Sequence, residues 1–367
     1  MIQKKYLKSY ASSKNFIFLR NIGRDLFAFI FFVGVINTDW FIEKKYEKGD
    51  NYLYEDPFQN FLEAQNKPGA NFYEAFENLE VTRSFIPSKL ANNFYEDSDF
   101  NNDCEIEQIS FKPAHTENTS KELVYFYGGI TCLQHQMRLL SNITKETGFN
   151  VHSFNYPGIA ASTGKTREFN DLVNSGISVV KNLLETGKHE SDIILQGHCL
   201  GGNVALAVKN FFLNEYCLDL KLVLFDTPKS LANVFADSLS YILSFLPQVV
   251  FDVFTVIFDF FLNISGWNVS YDDSINKFEF NKQQMHFYQG GNNLSLYPEN
   301  TLHNSKLDGS SDLLTELYDK RALILNKDRA YENKKQADNS HVFTSTSLKT
   351  SDGVSAIECL KQFALAP

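Results

Sequence analysis

Little in this chain would staple it, clad it in positive charge or carry it through a bilayer. Its five cysteines, at positions 104, 132, 199, 217 and 359, are odd in number and widely spaced, and no Cys-x-x-Cys occurs. A disulfide framework and a cysteine-rich zinc site are therefore disfavoured, and a reducing compartment fits better. The 34 Lys and Arg are outnumbered by 44 Asp and Glu, for a net charge of −10. The basic face of a general nucleic-acid binder is missing. Trp and Met are scarce, at 2 and 3. There are no internal repeats and no low-complexity tract, and no motif calls for a metal or an organic cofactor.

What is present is a large apolar complement, 43% of residues, with 34 phenylalanines. A sizeable core is affordable, and 367 residues suggest one large domain with additions or two domains. The N-terminus has its own character. Lys4, Lys5, Lys8, Lys14, Arg20 and Arg24 face one acid, Asp25, and an apolar run from Leu26 to Ile36 follows. At eleven residues that run falls short of the roughly 20 needed to cross a bilayer. It suits a helix packed on the protein body, a basic helix lying on a membrane surface, or the core of a signal peptide. Asn37-Thr38-Asp39-Trp40 is a poor cleavage site.

From residue 101 onward, short apolar runs alternate with longer helical stretches, which predicts a mostly parallel sheet flanked by helices. Cys104 to Phe111 alternates like a partly exposed edge strand. Glu122–Tyr127, Asn150–Tyr156, Asp192–Gln196, Lys221–Phe225, Gln284–Tyr288 and Arg321–Leu325 read as further strands. Helices are expected over about 134–147, 168–186, 199–213 and 354–363. Residues 1–100 show no clear strand period and read as a mostly helical extension. Residues 229–282 interrupt the rhythm as a helical cap insertion. Within it Gln248, Asp252, Thr255, Asp259 and Asn263 share one narrow polar stripe of a helix. Nearly everything else from Val249 to Ile264 is apolar. Such a helix should be buried on most sides, as a cap over a site, or should meet lipid.

The chemistry concentrates at Gly197-His198-Cys199-Leu200-Gly201-Gly202, which follows the strand at 192–196 and opens a helix. Gly-x-Cys-x-Gly stands here where Gly-x-Ser-x-Gly forms the commoner nucleophile elbow. The turn is tight, so side chains two before and two after the nucleophile would clash, and glycine removes them. The helix N-terminus aims its N–H groups and positive end at Cys199. Both favour the thiolate over a free thiol of pKa about 8.5.

With strand, glycine loop, elbow and a late histidine in this order, residues from about 104 to 367 resemble the α/β-hydrolase superfamily. The cysteine elbow is similar to that of dienelactone hydrolases and polyhydroxyalkanoate synthases. Tyr127-Gly128-Gly129, Tyr156-Pro157-Gly158 and the elbow together resemble hydrolases of intracellular bacteria, some of them secreted effectors.

The resemblance implies two oxyanion donors, the backbone N–H of Leu200 and that of Gly129, with Ile130 the alternative to the latter. It implies His341, between the last strand and the final helix, as the base. The third member is open. Asn293 follows the strand where the family usually has a carboxylate, and Asp226 ends the strand before the cap, where some lipases place theirs. An acyl-cysteine hydrolase or acyltransferase is the expected activity, on a small-molecule or lipid acyl substrate. A catalytically inactive scaffold is the other expectation, meeting a membrane or a protein through its extension or cap. The expected setting is cytoplasmic with peripheral membrane association, or, by the effector likeness, secretion into a host cell.

Overall fold

The computed structural model describes residues 22, 76–90, 103–114, 121–129, 132–225, 227, 231–232, 247–267, 284–287 and 355–365. Among the described residues seven strands form one sheet: β1 (Leu79–Lys89), β2 (Asp103–Pro113), β3 (Glu122–Phe126), β4 (Asn150–Phe154), β5 (Ile193–His198), β6 (Lys221–Phe225) and β7 (Gln284–Phe287). Their order across the sheet is β1-β2-β4-β3-β5-β6-β7. β1 and β2 run antiparallel to their neighbours, and the other pairings are parallel. The central strands β3, β5 and β6 are buried along almost their whole length, which is why their sequences are continuous apolar runs rather than alternating ones.

The helices are α1 (Leu133–Thr147), α2 (Phe169–Glu185), α3 (Leu200–Tyr216), α4 (Gln248–Ser265) and α5 (Ala356–Leu365). The parallel crossovers place α2 and α3 on one face of the sheet and α1 on the other, by the right-handed rule. α2 packs along α3, and α5 packs on α1. A reciprocal box opens α2, in which Glu168 caps the N3 backbone and the Asp171 carboxylate accepts from the Glu168 N–H at 3.0 Å.

One strand expectation is corrected. Cys104–Phe111 is not the edge of the sheet, because β1 pairs with all eleven residues of β2. The sheet therefore begins at Leu79, inside the segment read as a mostly helical extension up to residue 100. The period of β1 was hidden by a change of phase. Leu79, Val81 and Arg83 are the half-buried positions in its first half, and Ile86 and Ser88 the buried ones in its second. The remainder of residues 1–75, with Leu26 to Ile36, and the strand expected at 321–325 lie outside the described residues.

Helix α4 forms where the polar stripe places it, but it is not buried on most sides. Phe251, Leu262 and Ser265 face inward, while Val249, Val253, Val256 and Phe260 on the opposite side are 63%, 55%, 70% and 60% exposed. Its C-terminal end is fixed to the start of α2. The Phe169 N–H donates to the Gly266 carbonyl at 3.1 Å, and the Trp267 indole N–H to the Arg167 carbonyl at 3.0 Å. Among the described residues no helix is long and apolar enough to cross a membrane.

Candidate functional site

The connection through α1 moves from β3 to β4, whereas the one through α3 moves from β5 to β6, in the opposite direction. The order thus reverses between the paired strands β3 and β5, and ligands in open α/β sheets bind at the carboxyl ends of such a pair. Phe126, the last residue of β3, stands opposite Gly197 of β5. Tyr127-Gly128-Gly129 leaves one strand and Cys199 leaves the other at this crevice.

Cys199 has φ 51° and ψ −124°, a conformation that a residue with a Cβ reaches at a cost of about 1–3 kcal/mol. The surroundings enforce it. The Cys199 N–H donates to the Phe225 carbonyl of β6 at 2.9 Å, and its carbonyl accepts from the Gly202 N–H at 2.9 Å. A Cβ at Gly201 would lie 2.2 Å from the Phe126 carbonyl oxygen and 2.4 Å from that of Tyr127. At Gly197 it would lie 2.4 Å from the Gly202 Cα. The two glycines of the motif are therefore required by close backbone approach on both sides of the turn, as the sequence pattern implies.

Cys199 is half-buried, whereas Cys104 and Cys132 are buried and Cys217 is exposed. The glycine loop touches it, since a Cβ at Gly128 would stand 3.1 Å from the Cys199 Cβ. Gly129 is the next residue of that turn, and Leu200 is the first residue of α3. The opening N–H groups of a helix have no partner within it, and that of Leu200, first in α3, is one of them. Tyr125, at the end of β3, is held above the ordinary phenol range by burial and then by the nearby Cys199.

Cys199, Leu200, Gly128 and Gly129 are thus gathered at one crevice. Asp226, Asn293, His341 and Ile130 lie outside the described residues. Sequence reading also missed a buried polar cluster behind the glycine loop. Asn155 accepts through Oδ1 from the Tyr127 hydroxyl at 3.2 Å and from the Leu133 N–H at 2.9 Å. Its Nδ2 donates to Glu107 Oε2 at 2.7 Å, and Glu107 Oε1 lies 2.8 Å from Arg83 Nε. The Tyr156 hydroxyl donates to the Tyr127 carbonyl at 3.3 Å. Burial, first of all, pushes the Tyr127 and Tyr156 phenols above their ordinary range, so both stay protonated and available as donors. The alternation of β2 put Glu107 on its solvent side, and only β1 beside it, with Arg83, shows why it is enclosed.

A cavity of about 630 Å³ lies elsewhere, beside β1, β2 and α2, lined by Ser88, Cys104, Thr163, Asn174, Ser178 and Lys181 among others. None of its lining residues belongs to the elbow. Among the described residues no cluster of three or more His, Cys, Asp or Glu is placed to hold a metal.

The strand order, the flanking helices and a strand-elbow-helix turn at the fifth strand define an α/β-hydrolase fold. The model of a family described as "Chlamydia CHLPS protein (DUF818)" matches residues 120–250. No curated protein matches the chain. Among solved structures, the chain is similar to an esterase of Pyrobaculum calidifontis at 14% identity and TM-score 0.45, covering 84% of this chain and 90% of that one. An alpha-beta hydrolase of Vibrio vulnificus matches at 12% identity and TM-score 0.45, covering 70% and 81%. A bacterial heroin esterase matches at 16% identity and TM-score 0.35, covering 50% of this chain and 53% of that one, so this chain spans about half its length. Identities this low leave the chemistry to be read from the site.

Proposed function

We propose that the protein is a hydrolase or acyltransferase that works on an ester, thioester or lipid acyl group through an acyl-cysteine at Cys199. The supporting observation is the left-handed Cys199 at the carboxyl end of β5, with the Gly128-Gly129 turn against it. In this reading His341 takes the Sγ proton and the thiolate attacks the acyl carbon. The N–H groups of Leu200 and Gly129 hold the resulting oxyanion. Collapse expels the leaving alcohol or thiol, which regains the proton from His341, and leaves a thioester. Water, deprotonated by His341, or an acceptor alcohol then attacks that thioester and releases the acyl group. Asp226 or Asn293 orients the imidazole.

The test is the acyl-enzyme itself. Incubation with a short p-nitrophenyl ester should give a burst of nitrophenol and a mass increment on the Cys199 peptide. Cys199→Ala should abolish both while leaving the fold intact. Cys199→Ser should retain little activity, because a neutral hydroxyl demands a stronger base. Turnover that survives Cys199→Ala removes Cys199 from the mechanism. Of the orienting residues, Asp226→Ala should cost more rate than Asn293→Ala, since a carboxylate stabilises the imidazolium. Full activity in both would reduce the triad to a Cys-His dyad.

One observation favours a second reading, a scaffold or effector without catalysis that meets a membrane or protein partner. The outward side of α4 carries Val249, Val253, Val256 and Phe260 in solvent, a larger contiguous apolar surface than scattered exposed residues make. In that reading the intact chain co-sediments weakly and salt-sensitively with anionic liposomes. Deleting residues 1–36 abolishes this, because each basic side chain near the surface contributes about 1 kcal/mol. Uniformly slow iodoacetamide labelling of all cysteines would support the scaffold, and fast labelling of Cys199 alone the enzyme.

A further inference from the structure

We propose that Asn155 and Glu107 are positioning residues that hold the oxyanion-binding turn in place. The inference rests on the reading of Cys199 and Gly129 given above.

The turn that leaves β3 begins with two adjacent glycines, Gly128 and Gly129, which bring no side chains to fix it. It must nevertheless keep its N–H groups aimed at one point beside Cys199, since an oxyanion is stabilised only by donors already in position. One atom brackets the segment from both ends. Asn155 Oδ1 accepts from the hydroxyl of Tyr127, immediately before Gly128, and from the N–H of Leu133, the first residue of α1. A single carbonyl oxygen thereby ties the residue before Gly128 to the first residue of α1. The same Tyr127 hydroxyl accepts from the Tyr156 N–H at 3.2 Å, and the Tyr127 carbonyl accepts from the Tyr156 hydroxyl. The residue that leads into Gly128 is thus fixed at its main chain and at its side chain.

An asparagine amide can turn over, which would present NH₂ to two donors. Glu107 removes that choice. Its Oε2 accepts from Asn155 Nδ2 at 2.7 Å and from the Ala161 N–H at 3.2 Å. A carboxylate can only accept, so Nδ2 must face it and Oδ1 must face the turn. The carboxylate is fully enclosed and lies against Arg83 of the edge strand. The Asn155 N–H also donates to the Glu107 carbonyl at 2.8 Å, so main chain and side chain agree on where Asn155 sits. Glu107 and Asn155 touch no reacting atom. They act through the loop.

The test separates thiol chemistry from oxyanion chemistry. Iodoacetamide alkylates a thiolate by displacing iodide and forms no oxyanion, whereas acyl transfer passes through one. In Asn155→Leu, kcat on a short p-nitrophenyl ester should fall about 100-fold, the scale of a misplaced reacting geometry. KM should change little, and the alkylation rate at Cys199 should stay within about two-fold of the parent. Asn155→Asp, which puts an acceptor against Glu107, should reproduce the loss. Glu107→Gln can keep an acceptor toward Nδ2 only by turning its NH₂ against Arg83, so part of the rate should be lost, and full activity in a folded Glu107→Gln removes Glu107 from the positioning role. A folded Asn155→Leu with unchanged kcat overturns the proposal, as does a parallel fall of kcat and alkylation, which would mean collapse of the elbow.

Amide hydrogen exchange over residues 127–133 reports on the turn whether or not the chain turns over an ester. Faster exchange in Asn155→Leu or Asn155→Asp supports the proposal, and unchanged exchange overturns it. A parent chain with neither burst nor fast Cys199 alkylation refutes the acyl-cysteine reading, while the exchange result still decides the role of Asn155.

Discussion

Two glutamates are sealed inside this sheet, one at each end, and they are used differently. Glu122 opens β3 at the end away from the elbow. It accepts from His152 Nε2 at 2.7 Å and Asn150 Nδ2 at 3.0 Å, and it pairs with Lys188. His152 Nδ1 in turn lies 2.8 Å from the Ser110 hydroxyl. These partners stand on β2, β4 and the loop before β5, so the cluster clamps strand to strand. Glu107, at the elbow end, spends its oxygens on a loop asparagine, a loop N–H and the edge-strand arginine. The lesson is that a buried carboxylate serves whatever its donors are attached to. One holds the scaffold, and the other transmits the scaffold's rigidity to a turn beside Cys199.

The contrast is broken most directly by removing the clamp. Glu122→Ala leaves His152 and Lys188 facing an empty acceptor position. Leaving buried His152 without its acceptor costs about 1–3 kcal/mol, which urea unfolding should register, with kcat of the folded fraction unchanged. A large drop in kcat without a loss of stability would erase the distinction between the two ends. At the elbow, Gly201→Ala drives a Cβ into the carbonyls of Phe126 and Tyr127. Overpacking of this sort costs about 1–3 kcal/mol, and here it should remove ester turnover as well, because the turn that moves is the one beside Cys199. Normal kinetics in a stable Gly201→Ala would show that the crevice tolerates a shift of β3 against α3.

Acidity sharpens the comparison further. Burial alone would raise the Glu122 carboxyl, but hydrogen bonds from His152, Lys188 and Asn150 outweigh it and hold the group below its ordinary value of 4.5. A depressed carboxyl stabilises the fold fully above its unfolded value and loses that contribution as pH falls through the folded one. Unfolding free energy should therefore decline below about pH 4.5, and Glu122→Gln should flatten that limb. An identical acid limb in the variant would place its origin elsewhere. The smallest effect is expected from His152→Gln, which keeps a donor for Glu122 and should cost about 1 kcal/mol with no change in kcat. Thermal melting measures it, and a cost near that of Glu122→Ala would make the imidazole, rather than the carboxylate, the centre of the clamp.

The parallel half of the sheet was legible because its strands are short apolar runs separated by helices with clear 3.6-residue period. Helices expected near 134–147, 168–186 and 199–213 form at Leu133–Thr147, Phe169–Glu185 and Leu200–Tyr216. The tight turn after β5 was legible because strained turns tolerate so few side chains that Gly197 and Gly201 announce themselves. β1 was not, since its buried face changes side between Arg83 and Ile86, and no periodicity search rewards that. Glu107 was not for the same reason, because its burial depends on a strand that had not been seen. The outward side of α4 was misjudged because an apolar helix carries no mark of how many neighbours it has. Asp226, Asn293 and His341 rest on their order in the sequence.

β1 has one more consequence. Among the described residues it is the last strand of the sheet on its side, and a strand edge left without a partner invites a second chain to add itself and start a fibre. Phe85 stands 45% exposed there with the Arg83 guanidinium 5.1 Å from its ring, so the sequence at this border is sticky and not only polar. Pro87 sits two residues further on, opposite Glu105 of β2. A proline within a ladder turns its missing N–H toward the open side, and an incoming strand would find no donor there. Lys89, exposed at the end of the strand, adds a charge that a stacked copy would have to confront. Pro87 and Lys89 thus make the strand that anchors Arg83 a poor template for an added strand.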